Sequence, residues 1–148
     1  MPMTKDDFYD FAMLMKNDSI LLFENQSYHN SVYIGGYTLE AYIKIILIEY
    51  DNPDFSNHLG KINLANKLKE IFALYPEYFE KSILIQGNKD YPRYLFNGNG
   101  NNNTKSKWNI NSRYKIEHWS DENFCSKIQE ELVVIEKELV NLKLDGVI

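Results

Sequence analysis

Two adjacent glycines, Gly35 and Gly36, interrupt the most apolar stretch of the chain, YIGGYTLEAYIKIIL at 33–47. The spacing of the apolar residues predicts a helix over 27–50, and the Asn52–Pro53 pair ends it. A glycine costs about 1 kcal/mol relative to alanine inside a helix, so the pair needs a structural reason. Because small residues let another backbone approach closely, the pair predicts either a tight helix crossing or a closely approaching ligand.

Four further segments have helical patterns. An amphipathic helix over 5–25 should pack antiparallel to the glycine helix, and two more helices follow at 56–76 and 77–86. A long terminal helix is predicted over 120–144, with Ser120 as its N-cap. The predicted apolar face of the first helix comprises Phe8, Phe11, Ala12, Met15, Ser19, Leu22 and Phe23. The predicted apolar face of the last helix comprises Phe124, Ile128, Leu132, Ile135, Leu139 and Leu142.

These segments predict an all-α fold, an up-and-down bundle of four to five helices. The length predicts one domain over 1–148. Residues 97–107 are rich in Asn and Gly and cannot build a core, so a mobile loop is expected there.

Charge is unevenly distributed along the chain, whose net charge is −5. Residues 91–116 contain five basic residues and no acidic one, so this basic segment carries +5 and the rest of the chain −10. A local field of this kind attracts anions despite the acidic total. The aromatic residues among the basic ones can stack on bases, although packing over the end of the bundle is an equal alternative. The residues predicted to contact RNA are Arg93, Lys105, Lys107, Trp108, Tyr114 and Lys115.

The start of the chain and its few Cys and His residues limit the cellular location and the kinds of site that we expect. Asp6 and Asp7 stand where a signal peptide would be basic, and no apolar run approaches the roughly 18 residues of a membrane span. We therefore expect a cytoplasmic protein with no membrane partner. Cys125, the only cysteine, is predicted to be a small core or boundary residue rather than a nucleophile. His29 and His58 lack metal-ligand spacing, so neither a metal site nor another cofactor is expected.

Glu40 and Lys44 lie four residues apart on the glycine helix, in the favourable order for an ion pair within a helix. On an exposed face such a pair would be solvated and would have no role in a functional site. Here the flanking residues are apolar, and a buried pair usually has further partners. From the residues alone, both the solvated pair and the functional pair stay open.

The order of these residues resembles a known family. The string SVYIGGYTLEAYIKIIL, between LFENQSYHN and HLGKINLANKL, resembles the second helix of the HEPN superfamily of helical domains. Gly36, Tyr37, Glu40 and Lys44 match the Gly-Tyr, acidic residue and lysine of that helix in order and spacing. WNINSRYKIEHW resembles the Arg-Tyr element before the last helix, so the likeness covers about residues 8–142.

The resemblance also implies an activity. HEPN ribonucleases carry an Arg-x4-6-His motif, and four residues separate Arg113 from His118. An arginine supplies a permanent forked charge for a phosphate. A histidine with a pKa of about 6.5 can exchange a proton with a ribose 2′-OH or a leaving oxygen. The resemblance therefore predicts metal-independent RNA cleavage through a cyclic phosphate, with Glu40, Lys44 and Tyr114 as positioning residues, in a homodimer whose two motifs share a cleft.

Two other functions stay open. The superfamily includes domains with no catalytic site, so one alternative is a non-catalytic module that binds a protein or a nucleotide, with Arg113 and Tyr114 anchoring the last helix. Another is an antitoxin-type partner of a toxic enzyme, and the ribonuclease itself would suit a defence or toxin–antitoxin setting. A His118 that shares one cleft with Arg113 and Glu40 would favour the enzyme, and a solvent-facing His118 would favour the module.

Overall fold

The computed structural model describes residues 3–51 and 119–146, together with Tyr114 and Ile116. These residues contain helices and turns but no strand, so the all-α prediction is confirmed for the described part of the chain. The helices predicted at 56–76 and 77–86 and the loop predicted at 97–107 lie outside the described residues. The helix count, the bundle topology and the single-domain boundary stay predictions for the same reason.

Three helices make up the described part: α1 is Lys5–Glu24, α2 is Tyr28–Asp51 and α3 is Glu122–Leu144. Their bounds agree with the helical periodicity of the sequence to within a few residues. The helical patterns at 5–25, 27–50 and 120–144 are therefore confirmed as helices.

A capping box starts α1. The Thr4 hydroxyl accepts a hydrogen bond from the Asp7 N–H at 3.1 Å, and the Asp7 carboxylate accepts one from the Thr4 N–H at 2.8 Å. This reciprocal pair satisfies backbone donors that the first turn leaves without partners. The hydrogen bonds from the Thr4 backbone, and then from its hydroxyl, lower the pKa of Asp7 below its usual 3.8.

α1 ends in a Schellman motif. The Ser27 N–H donates to the Leu22 carbonyl at 2.8 Å, and the Gln26 N–H donates to the Phe23 carbonyl at 3.0 Å. Gln26 occupies the left-handed position of the motif, with φ 64°. Glycine is the residue that usually stands there, because a Cβ is crowded in this conformation. The motif turns the chain back so that α2 begins at Tyr28.

α1 and α2 are antiparallel neighbours, as predicted. The start of α1 meets the end of α2 at the Lys5–Glu49 ion pair, whose Nζ and Oε2 atoms lie 2.5 Å apart. The end of α1 meets the start of α2 where the Ser19 hydroxyl donates to the Ser31 carbonyl at 2.7 Å. These two contacts fix the direction and the register of the pair.

α3 runs antiparallel to α1. Gln129, near the start of α3, donates to the Ser19 hydroxyl at 2.9 Å. Farther along α3, Glu136 pairs with Lys16 of α1, with Oε2 and Nζ 2.5 Å apart. Because α1 is antiparallel to both other helices, α2 and α3 run parallel to each other.

The core lies between these three helices, and it buries the entire predicted apolar face of α3. In α1, Phe8, Ala12 and Ser19 are buried, but Phe11 is 38% exposed, so its predicted place in the core is wrong. Phe11 instead lies at the rim of a cavity. Residues 38–47 of α2 are buried throughout, and both α1 and α3 pack against this helix.

The start of α3 differs from the prediction by one residue. Its N-cap is Asp121, whose carboxylate accepts from the Asn123 N–H at 3.1 Å. The Ser120 hydroxyl is engaged in the preceding turn, where it donates to the Ile116 carbonyl at 2.5 Å. Ser120 is therefore not the cap.

α2 is long and apolar enough to cross a membrane by length and composition alone, over Tyr28–Glu49, with a mean hydropathy of 1.2. The prediction that no apolar run approaches the length of a membrane span is therefore wrong for this helix. However, 78% of the apolar window is buried inside the structure, and the core helix of a soluble protein passes the same test. The cytoplasmic location stays a prediction.

Candidate functional site

Gly35 lies where the three helices meet. A Cβ at this position would come within 2.8 Å of Leu132 Cδ1 on α3 and within 2.8 Å of Ser19 Oγ on α1. Real Cβ atoms do not approach neighbours so closely, because interiors are already packed to the density of organic crystals. The tight helix crossing is thus the confirmed reason for Gly35, and Gly36 beside it is also buried.

A polar junction surrounds this crossing, formed by Ser19, Ser31 and Gln129. The two serines exchange hydrogen bonds, since each hydroxyl donates to the other residue's carbonyl at 2.7 Å. The Gln129 side-chain amide donates to both hydroxyls at 2.9 Å. These hydrogen bonds connect one residue of each helix and so fix the register of the three helices relative to one another. The sequence places Ser19 on the apolar face of α1, and a serine on that face is the only sequence signal for the junction.

Cys125 adjoins the junction and is fully buried, so its predicted place in the core is confirmed. Its Sγ lies 3.7 Å from the Tyr28 carbonyl. Burial raises the pKa of the Cys125 thiol. Since the thiolate is the reactive form, this environment favours an inert, protonated side chain.

The Glu40–Lys44 ion pair is the charged feature of α2. Lys44 Nζ lies 2.8 Å from Glu40 Oε1, and the two side chains are only 6% and 8% exposed, respectively. The solvated surface pair is therefore excluded. Lys44 Nζ also lies 5.5 Å from the centre of the Phe8 ring, within the range of a cation–π interaction.

A cavity of about 350 Å³ opens beside this pair, between α1 and α2. Its wall is mostly apolar, and the ion pair supplies its charged groups. Phe11 and Tyr37 meet edge to face, with ring centres 6.1 Å apart, and the Tyr37 hydroxyl lies 2.9 Å from that of Tyr33. The lining residues are Met3, Phe8, Phe11, Tyr37, Glu40, Ala41 and Lys44.

This arrangement suits a particular kind of ligand. An apolar cavity with a few convergent polar groups is the usual form of a small-molecule site, and about 350 Å³ is near the lower end of the usual size range. Because Glu40 and Lys44 neutralise each other, the cavity presents a hydrogen-bond donor and an acceptor side by side rather than a net charge.

The structure brings together only part of the predicted site. Of its eight other members, Tyr114 is described, and its side chain is 74% exposed. Such exposure leaves the ring accessible to solvent. The remaining seven lie outside the described residues and stay predictions: Arg93, Lys105, Lys107, Trp108, Arg113, Lys115 and His118.

Three residues of the cavity lining are not predicted site residues. Phe8 and Phe11 belong to the predicted apolar face of α1, and Ala41 has no sequence feature that marks a site. Their spacing on one face was the available signal, but spacing alone does not show that two helices leave a cavity between them. Among the described residues, no group of three or more His, Cys, Asp or Glu side chains could hold a metal ion.

The likeness to HEPN domains rests on the order and spacing of residues in the sequence alone, and it stays a prediction. No protein-family model, curated protein or solved structure matches the chain.

Proposed function

We propose that this protein is a HEPN-like helical protein that acts on RNA as a metal-independent endoribonuclease. The observation that carries the proposal is the burial of Glu40 and Lys44, 2.8 Å apart, beside a cavity. Removing two charges from water costs several kcal/mol per ion before their attraction is counted. Helix stability alone would be served better by apolar residues, as at the neighbouring positions, so the retained pair supports a functional role.

The reaction needs no metal ion for its proton transfers. The ribose 2′-OH attacks the adjacent phosphorus and gives up its proton, and the bond from phosphorus to the 5′ oxygen breaks. The leaving oxygen takes a proton, so the products are a 2′,3′-cyclic phosphate and a 5′-OH. In the proposed homodimer one His118 accepts the first proton and the second copy's His118 donates the other. Arg113 binds the phosphate, and Glu40, Lys44 and Tyr114 position Arg113 and His118.

The test is cleavage of mixed single-stranded RNA by the purified full chain in EDTA. Arg113→Ala and His118→Ala should each lower the cleavage rate by a factor of at least about 100, the scale expected for a general acid or base. His58→Ala is the matched histidine control and should leave the rate unchanged. Far-UV circular dichroism must show that all variants stay folded. Light scattering at micromolar concentration should give the mass of a dimer.

Two outcomes would count against this proposal in different ways. If the wild type leaves every RNA intact, the protein is not a ribonuclease. If RNA is cleaved but His118→Ala keeps the full rate, the proton carrier is another residue.

The second candidate function is a non-catalytic module that binds a nucleotide or a protein. The apolar wall of the cavity favours it, because Phe8, Phe11 and Tyr37 suit the binding of a flat ring. Binding without cleavage in the same assay would select this function. The antitoxin-type partner has its own indicator, which is a neighbouring gene for a nucleotidyltransferase or another toxin.

A further inference from the structure

We infer that the cavity between α1 and α2 binds one unpaired nucleobase of single-stranded RNA, a role that rests on the proposed action on RNA. The inference names the part of the substrate that this cavity accepts. It depends on the aromatic rim of the cavity and on the polar pair inside it.

The rim supplies a stacking surface. Phe11 is 38% exposed although it belongs to an apolar helix face, and it lies against the edge of Tyr37 at the cavity. A ring exposed at the rim of a cavity is accessible to a ligand, and the face of a nucleobase can stack on it. Base stacking on aromatic side chains is tolerant of sequence and is a main source of affinity in proteins that bind single strands.

The polar pair supplies an edge that a base can match. Glu40 accepts hydrogen bonds and Lys44 donates them, and their charged atoms are 2.8 Å apart. Every nucleobase has a donor beside an acceptor on its Watson–Crick edge, which is the edge that proteins read on unstacked RNA bases. In a duplex this edge is already paired. The cavity therefore selects an unpaired base.

The experiment measures binding separately from cleavage. A short single-stranded RNA with 2′-O-methyl sugars cannot be cut by attack of the 2′ oxygen, so it reports binding alone by fluorescence anisotropy. We compare it with the same strand annealed to its complement, with an abasic strand of equal charge and with free nucleoside monophosphates. The variants are Phe11→Ala and, as matched control, Leu14→Ala, which removes an exposed side chain of α1 outside the cavity lining.

The expected result is that Phe11→Ala weakens binding of the single strand about tenfold or more, while Leu14→Ala leaves it unchanged. The duplex and the abasic strand should bind weakly and equally to the wild type and both variants. Nucleoside monophosphates should compete with the strand, although at higher concentration because they lack the neighbouring phosphates. Wild-type affinity in Phe11→Ala, or equal affinity for the strand with and without bases, would overturn the inference.

The two proposals can fail separately. If natural RNA is cleaved but Phe11→Ala binds the 2′-O-methyl strand like the wild type, the base site is wrong and the ribonuclease stands. If the base-dependent binding appears but no RNA is cleaved, the base site stands and the protein is a binding module.

Discussion

Replacing Gly35 with alanine would place a methyl group against two helices at once. The added Cβ would lie 2.8 Å from Leu132 Cδ1 and 2.8 Å from Ser19 Oγ, so the neighbours have to move. Leu132 can yield by turning the end of its side chain. Ser19 is held, because its hydroxyl donates to the Ser31 carbonyl at 2.7 Å and accepts from Gln129 Nε2 at 2.9 Å.

The net effect of Gly35→Ala should be a loss of stability. Overpacking a core costs about 1–3 kcal/mol, and a weakened buried hydrogen bond costs roughly 1 kcal/mol more. The higher helix propensity of alanine offsets about 1 kcal/mol. The free energy of unfolding should thus fall by about 1–3 kcal/mol. For a chain of 148 residues, this corresponds to a melting temperature lower by roughly 2–12 °C.

Thermal unfolding followed by circular dichroism measures this change. The matched control is the same substitution in a Ser19→Ala background, where the hydroxyl that the new methyl group would meet is absent. There Gly35→Ala should cost at least about 0.5 kcal/mol less, the smallest coupling expected between residues in contact. A melting temperature that stays the same or rises in the single variant would refute the crossing argument. Equal costs in both backgrounds would assign the clash to Leu132 alone.

Three smaller predictions use the same purified protein. Gln26→Gly should raise the free energy of unfolding by about 0.5 kcal/mol, and with it the melting temperature, because glycine adopts the left-handed conformation without strain. A melting temperature below that of the wild type would contradict this. Asp7→Asn should lower the melting temperature at neutral pH, with a difference that shrinks as the pH falls. The reason is that a carboxyl group whose pKa is lower in the folded protein stabilises the fold at pH values above its unfolded pKa of 3.8. This stabilisation is lost as the pH falls through the folded pKa. A constant difference from pH 6 to 3 would argue against it. Lys105→Glu with Lys107→Glu should weaken RNA binding with little loss of stability, and wild-type binding should fall steeply with salt; salt-independent binding would contradict the anion-binding role of residues 91–116.

Periodicity was sufficient to predict the described helices, because their core-facing residues recur at three- and four-residue spacings. All six predicted core residues of α3 are buried. The helix starts were harder. Ser120 and Asp121 are equally good caps by residue type, and the choice between them follows from the bond of Ser120 to the Ile116 carbonyl. Local sequence does not contain that contact.

The candidate site was predictable only in part. The spacing of Glu40 and Lys44 predicted their ion pair, but its burial depends on the tertiary packing around α2. Phe11 has the spacing of a core residue and is nevertheless exposed at a cavity rim, because periodicity identifies a face and not the distance between two facing helices. Arg113 and His118 lie outside the described residues, so their roles depend on the resemblance and on the assays.

The buried charges lead to one further prediction about the basic segment 91–116. Three carboxylates and one ammonium group are buried among the described residues: Glu40, Glu131, Glu138 and Lys44. A buried carboxylate needs cations or hydrogen-bond donors around it. The basic segment carries +5 and is a possible source of such cations. We therefore expect its positive charges to divide between two tasks, neutralising buried acids and binding RNA.

Single replacements by glutamine at the five basic positions of this segment would separate the two tasks. A position that neutralises a buried acid should lose about 3–5 kcal/mol of stability, the usual cost of breaking a buried pair. A position that contacts RNA should keep its melting temperature and lose affinity, with a weaker dependence of binding on salt. If all five variants unfold like the wild type, other residues satisfy Glu131 and Glu138, and the whole positive charge of the segment remains available for RNA.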